Sequence, residues 1–248
     1  EHHLMKWESV YGEHGFPGWH IECSAMARAH LGDQLDIHTG GEDNIFPHHE
    51  CEIAQSRSAT GAASFARYWF HTRFLFVDGK KMSKSAGSGH TLRDLCDRGA
   101  SPAAVRLELI RTRYRSNANF TFQGLRDAQR QVARWHRLRQ WLVENGDASI
   151  DGPGPLQQAR ESFMAAMCDD LNVSGALGVF SEAVSVWPVD AAPTSGSGPG
   201  TLAGELEALL EMDAVLGVLD LRCEGGEGDI DQNHVAALIE ARNTARGA

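Results

Sequence analysis

Residues 17–55 read PGWHIECSAMARAHLGDQLDIHTGGEDNIFPHHECEIAQ, and they concentrate Cys, His and Glu between two glycine-bearing turns. Proline favours the first turn of a helix, so a helix is predicted to begin near Phe46 or Pro47. On that helix His48 and Glu52 are four residues apart and share one face. The spacing therefore indicates two side chains that can coordinate a single metal ion.

Cys23, on a separate predicted helix, is the third candidate ligand. His49, Glu50 and Cys51 are expected to point elsewhere on the second helix. Two other interpretations stay open, because such a His/Glu pair also suits a solvated helix face and a lone Cys also suits a helical core. A tetrahedral zinc ion has four ligands, and this chain offers three candidates. Either the fourth position is open or the fourth protein ligand is missing from the chain.

The composition predicts a globular protein without a membrane span. The chain has 248 residues, 42% of them hydrophobic, which is enough for one large or two ordinary domains. It has no run of about 18 apolar residues and no basic-then-apolar N-terminus, so neither a membrane span nor secretion is indicated and a cytoplasmic protein is expected. Five scattered cysteines without a CxxC pair argue against a disulfide scaffold or a zinc ribbon.

The net charge of −10 is unevenly distributed along the chain. Residues 1–147 hold 19 Lys and Arg against 17 Asp and Glu, whereas residues 148–248 hold 4 against 16. Within the first part, residues 106–139 carry nine arginines and two acidic residues. That local positive charge suits a polyanion, and solvated helix faces explain it equally well.

Two loops are candidate contacts for a nucleotide. A strand predicted at 34–38 ends in Thr39-Gly40-Gly41, where bare backbone can approach a ligand, and Asp43 follows within reach of a ribose hydroxyl. A buried strand predicted at 70–77 leads to the loop KKMSKS at 80–85, whose lysines can stabilise phosphate charge. Each signal alone also fits a tight turn or a solvated basic loop.

Helices dominate the second part of the chain. A first helix is predicted at 19–31 and ends at Gly32. Later helices are predicted at 91–97, 102–115, about 125–144, 155–168, 174–187 with Ser174 as cap, 201–220 with Thr201 as cap, and 232–246. This pattern is typical of a helical bundle, and it places a domain boundary between about 88 and 122. The first residue is not Met and the last predicted helix reaches the end, so the chain is expected to be a piece of a longer protein.

Four motifs together resemble the cysteinyl-tRNA synthetases, a family of class I aminoacyl-tRNA synthetases. They are PGWHIECSAM (17–26), DIHTGGEDNIFPHHECEIAQS (36–56), KMSKS (81–85) and DDLN (169–172). The resemblance implies an α/β part followed by an all-α part. Residues 1–95 would form the second half of a Rossmann-like catalytic domain with the zinc site and the KMSKS loop. Residues 96–122 would form a stem-contact region, and residues 123–248 a truncated, DALR-like, tRNA-binding helical bundle.

The resemblance also implies roles for individual residues. The zinc ligands would be Cys23, His48 and Glu52, while the family's fourth ligand, a Cys, and its ATP-binding HIGH signature fall outside this chain. Cysteine would be bound by Trp19 and His38. The ATP site would comprise Gly40, Gly41, Asp43 and Lys84, and the catalytic residues would be Lys84 and Lys81.

The implied activity is that of a cysteine–tRNA ligase. ATP, with Mg²⁺, and cysteine would form cysteinyl-adenylate, and the cysteinyl group would pass to tRNA(Cys), with one zinc per chain recognising the thiol. A monomeric cytoplasmic enzyme is expected. Two alternatives stay open: the related cysteine ligase of mycothiol biosynthesis, which needs no tRNA, and an inactive fragment that only binds zinc and tRNA. The arginine-rich segment 106–139 argues against the first alternative.

Overall fold

A computed structural model describes residues 6–8, 12–15, 18–81, 89–189 and 200–221. The described part of the chain divides into two compact units, one within residues 1–72 and one within residues 73–221. The domain boundaries predicted at residues 95 and 122 rest on the resemblance to a family, whereas the two units are defined by their internal contacts. These boundaries stay a prediction. The helix predicted at 232–246 lies outside the described residues.

The first unit is built on a parallel β–α–β arrangement. Strands β1 (Trp7–Glu8) and β2 (His14–Gly15) pair antiparallel, and helix α1 (Trp19–Leu31) ends at Gly32 as predicted. Strand β3 (Leu35–Gly41) pairs in parallel with β4 (Ala66–Thr72), and helix α2 (Glu50–Thr60) connects them and packs against α1. A parallel pair joined by a helix is the repeating element of Rossmann-like sheets, so this part of the fold prediction is confirmed.

The start of α2 differs from the prediction. The regular helix begins at Glu50, and an irregular turn, Ile45–His49, precedes it. Phe46 is extended, with φ −136° and ψ 133°, because a residue before proline is sterically disfavoured in the helical region. The peptide bond between Phe46 and Pro47 is cis. His48 and His49 therefore lie in the turn that enters the helix, and both are buried.

The strand predicted at 70–77 is two strands in two different sheets. Strand β4 ends at Thr72, and β5 (Leu75–Val77) pairs antiparallel with β6 (Lys80–Lys81) and in parallel with β7 (Ala118–Phe120). At the break, the backbone N–H of Phe74 donates to Asn117 Oδ1 at 3.3 Å. The aromatic and β-branched pattern runs through residues 70–77 without interruption, so the sequence gives no sign that the strand changes partners.

The second unit is mainly a bundle of helices, with strands β8 (Ser149–Ile150) and β9 (Gly200–Thr201) paired at its side. The helices are α3 (Leu92–Asp97), α4 (Pro102–Ile110), α5 (Phe122–Glu144), α6 (Pro155–Cys168), α7 (Val173–Ser185) and α8 (Leu202–Leu216). In the part of the chain that the structure covers, no helix is long and apolar enough to cross a membrane.

Helix caps explain most of these boundaries. Ser101 and Thr201 cap α4 and α8 as predicted, since each side chain accepts a backbone N–H of the first turn. The prediction for Ser174 is wrong: Asn172 caps α7 by accepting from Gly175, and the Ser174 hydroxyl donates to the carbonyl of Arg111. Two helices are shorter than predicted, because α4 stops at residue 110 and α8 stops at residue 216.

The core of this unit follows the apolar stripe of α5. Trp135, Leu138 and Leu142 are fully buried on that helix. The ring of Trp135 meets Phe180 of α7 edge to face, with 4.7 Å between ring centroids, and Phe180 in turn lies 6.3 Å from Phe163 of α6. Burial of these large rings stabilises the bundle.

A buried carboxylate fastens α8 to the beginning of α6. Glu205 is fully buried, and its two oxygens accept the backbone N–H groups of Leu156 at 2.8 Å and Gln157 at 3.2 Å. Burial raises the pKa of Glu205, while these hydrogen bonds oppose the rise. Gly154 is required next to it, because a Cβ there would lie 2.7 Å from the carboxyl carbon of Glu205.

Most of the arginines in 106–139 bind within the protein. Eight of the nine make hydrogen bonds or ion pairs, of which three reach distant parts of the same unit: Arg106 donates to Leu216, Arg134 to Ser185, and Arg139 to Asp220. Helix α5 nevertheless leaves one exposed stripe on which Arg126, Arg130 and Arg137 follow one another. Arg126 and Arg130 belong to both sets, because they bond to Gln123 and Asp127 one turn earlier on the same helix and still lie at the surface.

Asp170, in the DDLN motif, joins the loop after α4 to the turn between α6 and α7. Its carboxylate accepts from Tyr114 Oη at 2.6 Å, from Arg115 and from Arg113. Asp170 and Leu171 both have positive φ, 51° and 52°, a conformation that costs free energy and needs such contacts to hold it. Hydrogen bonds from Arg115 first, and then from Tyr114, hold the pKa of Asp170 well below its usual range.

The role of Glu205 predicts a large loss of stability on truncation. Glu205→Ala removes the acceptor of the buried N–H of Leu156 and of the half-buried N–H of Gln157, so the free energy of unfolding should fall by about 1–3 kcal/mol in denaturant titration at pH 7. Glu207→Ala, at an exposed position of the same helix, is the matched control and should change stability by less than about 0.5 kcal/mol. Equal effects of the two substitutions would contradict the assigned role.

The Asp170 contacts predict a pH-dependent contribution to stability. Because the pKa is lowered in the folded state, the contribution is present above the unfolded pKa of about 3.9 and is lost as the pH falls through the folded value. Asp170→Asn should therefore lower the unfolding midpoint at pH 7, and the difference from the parent should shrink below about pH 4. Asp169→Asn is the control. A difference between Asp170→Asn and the parent that stays the same at pH 3 and pH 7 would refute the proposed ion pairs.

Candidate metal and nucleotide site

The structure brings Cys23, His48 and Glu52 together. Cys23 lies on α1, His48 in the turn before α2 and Glu52 on α2, and one candidate ligand atom from each lies within 4.8 Å of the others. The distance from His48 Nε2 to Glu52 Oε2 is 3.5 Å. Since α1 packs against α2, the contact between the two helices positions the three side chains.

The surroundings of these three residues favour a cation. Burial first, and then the charge of Glu52, raise the pKa of the Cys23 thiol. A bound cation would oppose both effects, because it stabilises a thiolate. Glu52 is fully buried, and among the described residues its Oε1 atom has no hydrogen-bond partner. A thiol, an imidazole and a buried, unsatisfied carboxylate are ligands that fit a zinc ion.

His49 also lies against Glu52, which the sequence analysis did not predict. Its Nε2 atom is 3.9 Å from Glu52 Oε2, and the side chain is buried rather than pointing away. Residues three apart share a helix face almost as well as residues four apart, so the i, i+3 spacing contained this signal. His38, His49 and Glu52 form a second group whose candidate ligand atoms lie within 4.8 Å of one another.

Two further histidines complete this polar cluster and were also missed. His20 Nδ1 lies 2.6 Å from His48 Nδ1, and His71 Nε2 lies 2.8 Å from His49 Nδ1. His71 is on β4, where it pairs in register with Gly40 of β3. Burial first, and then neighbouring histidines, lower the pKa of His49 to about 4, so its ring is neutral at pH 7.

The two residues expected to bind cysteine lie at this cluster. Trp19 is exposed, and its ring centroid lies 4.3 Å from that of His48. His38 Nε2 lies 2.8 Å from Glu52 Oε2, which accepts the hydrogen bond, and the His38 ring lies 5.1 Å from that of Trp69. An exposed indole beside buried imidazoles provides a partly apolar wall next to the candidate metal ligands.

The candidate nucleotide residues lie at the carboxyl end of β3. Gly40 and Gly41 end the strand, and Asp43 is in the short turn Glu42–Asn44 that follows. Gly40 is sterically required, because a Cβ there would lie 2.7 Å from Cε1 of the buried His49 ring, whereas a Cβ on Gly41 would meet only the exposed side chain of Asp43, at 2.5 Å from its Oδ1. In open α/β sheets ligands bind outside the carboxyl ends of the strands, which is where these residues are. Of the two candidate catalytic lysines, Lys81 ends β6 and Lys84 lies outside the described residues.

Curated relatives of the chain carry the name cysteine–tRNA ligase. The proteins from Salinibacter ruber and Pseudomonas aeruginosa (strain LESB58) are 38% and 41% identical to it, and each alignment covers 98% of this chain and 52% or 51% of the relative. The protein from Brachyspira hyodysenteriae is 46% identical over 70% of this chain and 37% of its own length. The chain thus spans about half the length of the relatives it matches.

Solved structures show the same fold at low sequence identity. The LeuRS–tRNA–LeuAMS ternary complex of Agrobacterium radiobacter K84 agnB2 matches with a TM-score of 0.59 and 18% identity, covering 85% of this chain and 31% of that one. A Campylobacter jejuni protein described as an arginyl-tRNA synthetase matches with a TM-score of 0.54 and 12% identity, covering 87% and 53%.

Two family models match the chain in an order that agrees with the fold. The model for the class I (C) tRNA synthetase catalytic domain matches residues 1–130, and the model for the DALR domain matches residues 162–220. The first match covers the β–α–β arrangement and the candidate site, and the second covers helices of the bundle. The resemblance noted in the sequence is confirmed, and the chain belongs to the class I (C) tRNA synthetase family.

Proposed function

We propose that the polypeptide containing this chain is a cysteine–tRNA ligase, which joins cysteine to tRNA(Cys) through a cysteinyl-adenylate. The observation that carries the proposal is the convergence of Cys23, His48 and Glu52 at the carboxyl end of a parallel strand pair, in a chain related to proteins of that name. The activity is proposed for the whole polypeptide, because this chain covers only about half the length of those relatives.

The three converging side chains would hold a zinc ion that recognises the substrate thiol. Zinc binds a thiolate far better than a hydroxyl, so a bound ion would distinguish cysteine from serine, where shape alone supplies about 1–3 kcal/mol. Trp19 would cover the substrate side chain, and His38 would fix Glu52 through their 2.8 Å hydrogen bond. The buried position of Glu52 keeps water away from the carboxylate.

ATP, with Mg²⁺, would bind along the carboxyl end of β3. Gly40 and Gly41 would contact the adenosine through the backbone, and Asp43 would accept from a ribose hydroxyl. Lys84, with Lys81 beside it in sequence, would stabilise the phosphate charge that develops during adenylate formation. The assignment of Lys84 rests on the KMSKS motif.

The DALR domain and α5 would contribute to tRNA binding. The exposed stripe of Arg126, Arg130 and Arg137 presents three guanidinium groups along one face of a helix about 35 Å long by its rise per residue. That spacing suits a row of backbone phosphates. A monomer in the cytoplasm remains the prediction for the whole protein.

ATP–pyrophosphate exchange on the intact gene product tests this function. Exchange should depend on cysteine, should be at least about 100-fold slower with serine, and should be followed by charging of tRNA(Cys). Lys84→Ala should slow exchange by about 100-fold while the metal content is unchanged. Exchange without tRNA binding would favour a small-molecule cysteine ligase instead, and tRNA binding without exchange would favour a binding-only protein.

Removal of a metal ligand should remove the metal. The chain purified with zinc is expected to hold about one tightly bound ion, and Cys23→Ala or His48→Ala should reduce this to less than about 0.1 per chain, measured by elemental analysis after dialysis. Cys51→Ala is the matched control, since Cys51 lies on the same helix as Glu52 but outside the cluster. Unchanged zinc in both ligand variants would refute the site.

The arginine stripe on α5 predicts salt-sensitive tRNA affinity. Each of Arg126→Ala, Arg130→Ala and Arg137→Ala should weaken tRNA binding and reduce the slope of log affinity against log salt by about 1. Arg160→Ala, on α6 and paired with Glu211, serves as the control. An affinity that does not change with salt, or equal losses in all four variants, would contradict a phosphate contact on α5.

A further inference from the structure

A hydrogen bond between Ser24 and Gln55 joins the two helices that carry candidate metal ligands. We propose that Ser24 and Gln55 are positioning residues for the metal site, because their hydrogen bond sets the Cys23 thiol on α1 opposite the Glu52 carboxylate on α2. The inference deepens the proposed function and rests on the zinc site described there. It gives a task to two side chains that are not ligands themselves.

The hydrogen bond joins residues that lie close to the ligands along each helix. Ser24 Oγ donates to Gln55 Oε1, and the two atoms are 2.8 Å apart. Ser24 directly follows Cys23, and Gln55 lies three residues after Glu52, so that Glu52 and Gln55 are neighbours on one helix surface. A shift of α1 along α2 would therefore break this hydrogen bond and displace the thiol from the carboxylate at the same time.

Apolar packing holds α1 weakly. Ser24 is the single buried residue of this 13-residue helix. Among the described residues, α1 adds only Ala27 to the small core formed by Leu35, Phe65 and Ala66. Apolar contact is non-directional, and one methyl group does not fix how far a helix slides along its neighbour. A directional contact is needed to set the register of α1 against α2.

In the described part of the chain, the hydrogen bond from Ser24 is the one side-chain hydrogen bond that runs from α1 to α2. His20 of α1 contacts His48, which lies in the turn before α2. The Ser24 hydroxyl also has a local acceptor, the carbonyl of His20 at 3.2 Å, as is common for a helical serine. Because that local acceptor already satisfies the buried hydroxyl, the shorter bond to Gln55 serves the register of the helices.

A metal site depends on this register because metal–ligand distances vary little. They stay within about 0.2 Å of their ordinary values, whereas one residue of slippage along a helix is about 1.5 Å. Removing a partner that orients metal ligands from outside the ligand set typically weakens metal binding by about 10- to 100-fold. We expect an effect of this size from either member of the pair.

Zinc affinity of the intact gene product, measured by competition with a chromophoric chelator, tests the proposal. Ser24→Ala and Gln55→Ala should each weaken zinc binding by about 10- to 100-fold, with the zinc content at saturation unchanged. The double variant should lose no more than the more affected single variant, because both substitutions remove the same hydrogen bond. Ser24→Thr keeps the hydroxyl and should restore most of the affinity.

Ser56→Ala is the matched control. Ser56 follows Gln55 on α2 and is 6% exposed, against 5% for Ser24, and its hydroxyl has no hydrogen-bond partner among the residues described. Its removal should leave zinc affinity unchanged. With Co²⁺ in place of zinc, the sulfur-to-cobalt charge-transfer band should shift or weaken in Ser24→Ala and stay unchanged in Ser56→Ala. The melting temperature of the metal-free protein should change by less than about 3 °C in both variants, so a general loss of stability would not explain the difference.

Parental zinc affinity in both Ser24→Ala and Gln55→Ala would overturn the proposal. So would additive losses in the double variant, or an equal loss in Ser56→Ala. A parent protein that binds no zinc would overturn the metal site and this inference together. The expected losses of zinc affinity, together with no cysteine-dependent exchange, would overturn the proposed ligase activity and leave the positioning role standing.

Discussion

Glu52 is a carboxylate without access to solvent, and the candidate site is arranged around it. Burial of an ionised carboxylate costs several kcal/mol unless positive charge or hydrogen bonds compensate. Here the compensating groups are imidazoles and a thiol, which are metal ligands, and one oxygen has no partner among the residues described. A metal ion would satisfy the unpartnered oxygen, which the hydrogen bonds of the described residues do not.

The parallel strand pair determines what lies beside the candidate metal ligands. Because β3 and β4 run in the same direction and α2 connects them, the turn that carries His48 leaves from the carboxyl end of β3. The glycines and Asp43 that are proposed to hold ATP lie at the same end. The fold therefore places the candidate metal ligands next to backbone that can approach a nucleotide, and the proposed activation of cysteine rests on this combination.

The sequence predicted the local features well and the tertiary ones poorly. Helical spacing identified His48 and Glu52, and cap residues located α4 and α8. The pairing of His20 with His48 and of His71 with His49 depends on contacts between elements, which no local pattern reports. Other errors had physical causes of their own. The extended residue before Pro47 makes α2 begin at Glu50, later than predicted. The apolar pattern at 70–77 is uninterrupted, so it does not show that this stretch forms two strands in different sheets.

X-ray absorption of the chain loaded with one equivalent of zinc tests the central claim most directly. If Glu52, Cys23 and His48 hold the ion, the first shell contains one sulfur at about 2.3 Å and nitrogen or oxygen ligands at about 2.0–2.2 Å. The sulfur contribution should disappear in Cys23→Ser. A first shell of light atoms only in the parent chain, with no sulfur at any zinc-to-ligand distance, would contradict the account.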